Sequence, residues 1–369
     1  MPNSKISLII EAMDPTEEKI YLNGLNILYR DSYPKLFSFI KDYLDQEKTP
    51  SFKTIWSSLN SRQRQKINLE EEWKKLEKQK IDLIPLNSSF YPFLLKQIPY
   101  PPLGIYLRGN LIFDLPAIAV VGTRKASLYG KSVTEKIIKE LVFCGFVVVS
   151  GLAYGIDSFA HKDTLLNKGK TVAVLASSVD KITPTLNKSL AVKILKDGAI
   201  VSEYPLNTNA LKQNFPWRNR IISGLSLGTL VIEAREKSGA LITANFALEQ
   251  NRQVFAIPGS IFNQNSLGPN NLIKSGAKLV NKIDDILEEL PRIYQEKKQK
   301  EKSEFLINSN FLTEKEKLVF QTLREEEEVC LDKILDLTNL KTNEVMVILT
   351  ELELKGLIKE ISQGKYIKT

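Results

Sequence analysis

The residues with the most chemical promise stand at the ends of short apolar runs. Gly122, Thr123 and Arg124 follow the run Ala117–Val121 and precede a helical stretch. A glycine there lets backbone approach a ligand closely. The helix behind it offers unpaired N–H groups and a partial positive charge. Arg124 adds a planar fork suited to phosphate. A second loop, from Ser150 and Gly151 to Gly155 and Asp157, again sets glycines between an apolar run and a helix, and Asp157 can equally cap that helix. Two such loops side by side form one crevice at the carboxyl edge of a parallel sheet.

A basic aromatic segment follows. Lys212, Phe215, Trp217, Arg218, Asn219 and Arg220 fall within nine positions. Cations grip a phosphate backbone and flat rings stack on unpaired bases, which is what a single nucleic-acid strand requires. The same residues would also suit a helix start whose arginines pair with acids and whose rings enter the core. Ser238, Gly239 and Thr243 open a further helix with hydroxyl and N–H groups that suit an anion. His161 is the single histidine of the chain, one turn into a helix, where packing or a supporting hydrogen bond is the ordinary role. The first loop is not G-x-G-x-x-G, and no acid ends the second run to hold a ribose, so no dinucleotide cofactor is expected. Two cysteines, Cys144 and Cys330, are too few for a zinc site and are expected to stay reduced, in a cytoplasmic protein.

The elements that must position these residues alternate between short apolar runs and helical stretches. The runs are 117–121, 146–150, 171–176, 199–202, 230–233, 254–257 and 277–280. Between the first two, Val133, Ile137, Ile138 and Leu141 share a helical face and Gly145 ends it. The pattern predicts an α/β fold, a Rossmann-like, doubly wound and mostly parallel sheet over residues 81–290. Residues 1–80 predict a helical amino-terminal domain, with helices at 35–44 and 70–80. The proline-rich stretch 84–104 is expected to be an extended connector. Residues 291–310, charged and nearly free of apolar side chains, predict a solvated linker or a frayed helix end. Residues 311–369, with a capping box of Thr313 and Glu316, then two more helices and a ribbon turning at Gln363-Gly364, predict a winged helix.

The composition is that of a globular protein, with 43% of the 369 residues hydrophobic and 25% charged. No run approaches the length of a membrane span, and no secretion signal opens the chain. The net charge is +8, of which residues 116–290 carry about +7 while 311–369 carry about −3. The cationic surface therefore belongs to the middle of the chain. An acidic winged helix is a poor duplex binder and is expected to contact protein.

Five motifs in order carry a resemblance: V-V-G-T-R at 120–124, S-G-L-A-Y-G-I-D-S-F-A-H at 150–161, F-P-W-R-N-R-I-I at 215–222, E-A-R-E-K-S-G-A-L-I-T-A at 233–244 and I-P-G-S at 257–260. Over about 84–281 the chain resembles the DNA-processing protein A (DprA/Smf) family. The resemblance implies a homodimer that binds single-stranded DNA with little sequence preference, protects incoming DNA and loads the RecA recombinase during natural transformation; the leading expectation is a binder and not an enzyme. It implies a phosphate pocket of Gly122, Thr123, Arg124, Lys212, Phe215, Arg218 and Arg220, and through the G-K-T step it adds Lys170. Where the family shows G-x-D-x-x-Y-P, this chain has Ser178, Asp180, Thr183 and Pro184.

Other readings stay open on sequence. A nucleoside-monophosphate hydrolase would need a carboxylate base, for which Glu203 and Glu233 stand at run ends, although its P-G-G-x-G-T signature is missing. A metal nuclease would need Asp157, Glu203 and Glu233 to gather. A nucleotide-regulated scaffold fits the crevice too.

Overall fold

The structure is a computed structural model that describes residues 15–30, 35–36, 40, 51–110, 112–291, 312–323, 328–354, 357–362 and 364–368. The chain divides into two compact units, Met1–Gln295 and Glu296–Thr369.

In the first unit, short β-branched segments become strands because helices cover both faces and leave no side for water. The central strands β3 (Ala117–Val121), β4 (Val147–Ser150), β5 (Thr171–Val174), β6 (Ala199–Ser202) and β7 (Gly228–Val231) are buried at every residue. With β1 (Asp82–Pro85), β2 (Gly104–Gly109), β8 (Gln253–Ala256) and β9 (Lys278–Leu279) they form one sheet in the order β1-β2-β6-β5-β4-β3-β7-β8-β9. The seven strands from β6 to β9 in that order are parallel, and β2 and β1 extend the edge antiparallel.

From β3 the chain winds outward through β4, β5 and β6, then returns to pair β7 with the other side of β3. The direction of winding reverses between β3 and β7, and the carboxyl ends of such a pair are where open α/β sheets generally bind ligands. The register aligns Val121 with Val231, so the loops beginning at Gly122 and Ile232 leave the sheet together.

Earlier helices of this unit are α1 (Pro15–Leu28), α2 (Phe52–Ser58), α3 (Ser61–Arg64), α4 (Leu69–Lys78) and α5 (Phe93–Lys96). Those between the strands are α6 (Leu128–Phe143), α7 (Ile156–Leu166), α8 (Lys188–Asp197), α9 (Asn214–Gly224), α10 (Gly239–Glu249), α11 (Leu267–Lys274) and α12 (Ile283–Leu287). The face expected on α6 is in place: Ile137, Ile138 and Leu141 are buried, and Gly145 stands at φ +75° after the helix.

Three expectations need correction. The stretch 84–104 is more than a connector, since β1 and β2 flank it and pair from Asp82 with Leu107 to Pro85 with Gly104. Strand β7 begins at Gly228, two residues before the apolar run suggested. The amino-terminal helices share a core with the sheet, because Leu22, Leu25, Trp56 and Leu76 cluster with Tyr106, Ala173 and Leu175. The helix expected at 70–80 is α4; that expected at 35–44 lies outside the described residues except at 35, 36 and 40, as does the linker beyond Pro291.

The second unit holds α13 (Glu314–Thr322), β10 (Val329–Cys330), α14 (Leu331–Thr338), α15 (Thr342–Leu354), β11 (Ile358–Ser362) and β12 (Lys365–Lys368). Its strands pair in the order β10-β12-β11, one strand more than the ribbon read from sequence. Thr313 and Glu316 close the capping box at the head of α13. Val319, Phe320, Ile334, Val345, Leu349 and Leu352 are buried. No described helix of either unit is long and apolar enough to cross a membrane.

Candidate nucleic-acid interface

The first loop is shaped by packing as much as by openness. A Cβ on Gly122 would stand 2.5 Å from the Ile156 side chain and 2.9 Å from the Glu233 carbonyl. Thr123 is nearly buried, its N–H donates to Glu233 O at 2.6 Å, and its hydroxyl accepts from Lys125 N–H at 3.2 Å. The head of α6, where an anion was expected, already holds one. The Glu233 carboxylate, 1% exposed, accepts from Ser127 N–H at 2.9 Å and from the Ser127 hydroxyl at 2.5 Å. The protein's own carboxylate therefore bonds the cap residue, whose hydroxyl in turn accepts from Gly130 N–H at 3.1 Å, and places a negative charge at that helix end.

The second loop closes on itself in the same way. The Ser150 hydroxyl donates to Val120 O at 2.6 Å. Asp157 accepts from the N–H groups of Gly151 at 3.1 Å and Ala153 at 3.4 Å. Burial pushes the Asp157 carboxyl above the ordinary range, opposed by the nearby Arg218 guanidinium. Gly155 stands at φ +72°, and a Cβ there would lie 2.3 Å from Thr123 O, so the two loops touch backbone to backbone.

The arginines of α9 are placed differently from the sequence expectation. Arg218 is 4% exposed and donates from Nη1 to Gly151 O at 2.9 Å and to Val174 O, and from Nε to Asn219 Oδ1 at 3.2 Å. Burial pulls its pKa down to about 10, partly countered by Asp157. A Cβ on Gly151 would meet Arg218 Nη2 at 2.6 Å, which gives that glycine a packing reason. Arg218 thus ties α9 beneath the ends of β4 and β5.

Arg220 is 1% exposed and forms a two-pronged pair with Glu203, Nη1 to Oε1 at 2.8 Å and Nη2 to Oε2 at 2.6 Å. Its Nε donates to Tyr100 O at 2.9 Å. The expectation that Arg220 contacts DNA is corrected: its guanidinium is buried against an acid. The expectation for Lys170 is corrected as well. It precedes β5, so it lies at the amino edge of the parallel sheet, where its carbonyl accepts from Val148 N–H at 3.1 Å, opposite the loops above.

What remains open at the carboxyl rim is a smaller set. Arg124 is exposed, and its guanidinium carbon lies 5.3 Å from the centroid of the half-buried Phe215 ring. Its charge also reaches Arg218 and disfavours the protonated form there. Lys212 is exposed just before α9. Asn219 donates to Gly239 O at 3.1 Å, which joins α9 to the head of α10. There Ser238 accepts from Ala240 N–H at 3.3 Å, Gly239 faces open space, and Thr243 is buried.

Lys125 and Arg235 were not singled out from sequence. Both are exposed and both meet Asn265, whose Nδ2 donates to Lys125 O at 3.1 Å and whose Oδ1 accepts from Arg235 Nε at 3.4 Å. Their presence in the first loop and just after Glu233 was the available signal. Among the described residues, no group of histidine, cysteine or carboxylate side chains could hold a metal. Asp157, Glu203 and Glu233 do not gather, and each has its own partners.

Comparison with known proteins follows the same segments. The sequence model of the family described as DNA recombination-mediator protein A matches residues 82–291. The chain is 46% identical over 215 residues to the DNA processing protein DprA of Bacillus subtilis, covering 58% of this chain and 72% of that one. It is 38% identical over 307 residues to the protein Smf of Synechocystis, covering 75% and 77%. The crystal structure of DNA processing protein A from Streptococcus pneumoniae superposes with a TM-score of 0.65 at 35% identity, over 76% of this chain and 99% of that one. A second solved relative, DNA processing protein A from Helicobacter pylori, was studied for its single-stranded DNA binding mode. It gives a TM-score of 0.52 at 29% identity, over 57% of this chain and 94% of that one.

Proposed function

The chain belongs to the DNA recombination-mediator protein A family, and from that premise we propose that it binds single-stranded DNA at the carboxyl rim of its sheet and delivers it to the RecA recombinase. The observation that carries the reading is Arg124, exposed and stacked on Phe215, with Lys212 exposed three residues before that ring and Lys125 and Arg235 exposed on the loops after β3 and β7. Exposed cations with a half-open ring among them supply phosphate attraction and base stacking together. The relative from Helicobacter pylori is itself a single-stranded DNA binder, which supports the same ligand class. The two carboxylates a hydrolase would use as base, Glu203 and Glu233, are buried and already bonded, which favours binding over catalysis.

Fluorescence anisotropy with unlabelled single- and double-stranded competitors at two salt concentrations tests this reading. Single strands should displace the probe better than duplex, with a log–log salt slope of about −0.7 for each phosphate neutralised. Arg124→Ala should cost about 1.5–3 kcal/mol on mixed sequences alike and flatten that slope. Equal competition by duplex, or an unchanged Arg124→Ala variant, would remove the rim from the account.

Delivery to RecA draws support from the recombination-mediator description of the family and is tested by RecA-dependent ATP hydrolysis on strands coated with a single-strand binding protein. Failure to stimulate it would confine the function to binding. A homodimer, read by sedimentation, and a reduced cytoplasmic setting, in which Cys144 and Cys330 stay free thiols, complete the proposal.

A further inference from the structure

The first turn of α9 carries two aromatic rings, and only Phe215 meets the cationic rim. Trp217 follows two residues later, about 200° further round the helix axis, and so points to the other side of that turn. There the Arg220 guanidinium carbon lies 4.2 Å from the Trp217 ring centroid, and the Tyr100 ring lies 5.9 Å away, tilted by 49°. The inner end of this stack is fixed, because Arg220 is held by both oxygens of Glu203. Its outer end is in water: Tyr100 is 51% exposed.

The backbone beneath Tyr100 is unusually stiff. The residue stands between Pro99 and the pair Pro101-Pro102, so a proline ring fixes φ on either side and Tyr100 itself is restricted to extended conformations. Arg220 Nε bonds the Tyr100 carbonyl at 2.9 Å and pins the segment to α9. An exposed flat ring on a backbone that has little freedom to lose is suited to stacking against a ligand at low entropic cost. The acid of the stack, Glu203, is buried and neutralised by Arg220, so it does not repel a phosphate chain.

We propose that Tyr100, backed by Trp217 and Arg220, is a second stacking platform that takes an unpaired base of the strand held at the cationic rim. The proposal rests on the single-strand reading above. A strand gripped at Arg124 and Lys212 that crosses the first turn of α9 meets Phe215 on one side and Tyr100 on the other. Tyr100 therefore adds affinity only for strands long enough to reach it.

The test is a length series of oligothymidylates, from about 4 to about 16 nucleotides, titrated against the full chain and its variants. Tyr100→Ala should match the parent on the shortest strands and bind the longest about tenfold more weakly. Tyr100→Phe, which keeps the ring and loses the hydroxyl, should behave as the parent at every length. Arg124→Ala, by contrast, should weaken binding at all lengths. Parent binding that depends on Arg124 while Tyr100→Ala changes nothing overturns this proposal and leaves the single-strand reading intact. A Tyr100→Ala loss equal at every length also overturns it, since that is the signature of a disturbed α9. A parent chain that binds no single strand overturns both.

Discussion

Three arginines near the rim have three different jobs, and burial assigns them. Arg124 faces water on an aromatic ring, Arg218 bonds backbone carbonyls under the loops, and Arg220 is closed against Glu203. Arg220→Ala should cost about 3–5 kcal/mol of stability in urea denaturation, because it strands a buried carboxylate. Changing Glu203→Leu and Arg220→Met together should restore most of it, and a double variant no better than the single one would contradict the pair's role. His161 gives a second check. Its Nδ1 lies 2.7 Å from the Thr171 hydroxyl, whose proton goes to Val148 O, so Nδ1–H is the donor. Burial, helped by Arg218, pushes its pKa down to about 3 from 6.5. The unfolded chain then binds a proton that the folded chain refuses between those values, so this contribution to stability is full above pH 6.5 and is lost as pH falls toward 3. The slope it adds is at most about 1.4 kcal/mol per pH unit. His161→Gln should flatten the acid limb of a stability–pH curve by that amount, and an unchanged limb would show that His161 is accessible to protons when folded. Sequence marked all three arginines as cations. It did not separate them, because the partner that buries Arg220 lies 17 positions away, just past the end of β6.

At the scale of elements, the rim is made by loops that lean on one another. Gly155 permits the contact: at φ +72° with Thr123 O where a Cβ would be, no larger residue fits without moving the first loop. Gly155→Ala should lower stability by about 1–3 kcal/mol through local strain and should also weaken single-strand binding as Arg124 shifts. Thermal melts and anisotropy on the same sample check both, and a stable variant with altered binding would show that the loops move independently. The central strands were legible because each is a short apolar run closed by glycine, serine or a polar turn. β1 and β2 were not, because prolines punctuate 84–104 and both strands are buried at consecutive residues, which removes the alternation of an exposed antiparallel edge; Pro85 is tolerated as the last residue of edge strand β1. β7 was read late because Gly228-Thr229 resembles a turn, whereas Gly228 leaves room for the Phe255 ring, to which a Cβ would come within 2.5 Å. The anion seat expected behind the first loop, at the head of α6, was read as open and is filled, because Glu233 reaches Ser127 across 106 positions.

Across the whole molecule, charge separates the two units. Residues 1–295 carry about +10 and residues 296–369 about −2. Every cation assigned to the strand lies in the first unit, and nothing assigned to it lies in the second. If phosphate attraction sets the affinity, removing residues 296–369 takes away no contact and only a weak like-charge repulsion. That repulsion acts within a Debye length, about 8 Å at physiological ionic strength and about 30 Å at 0.01 M. The truncated chain should therefore bind a single strand within about twofold of the full chain at physiological salt and more tightly than it at low salt. Anisotropy titrations of both chains at the two salt concentrations, with circular dichroism to confirm that the shorter one folds, measure this directly. A folded truncation that loses tenfold or more at physiological salt would mean that the acidic unit grips the strand through local contacts that its net charge conceals.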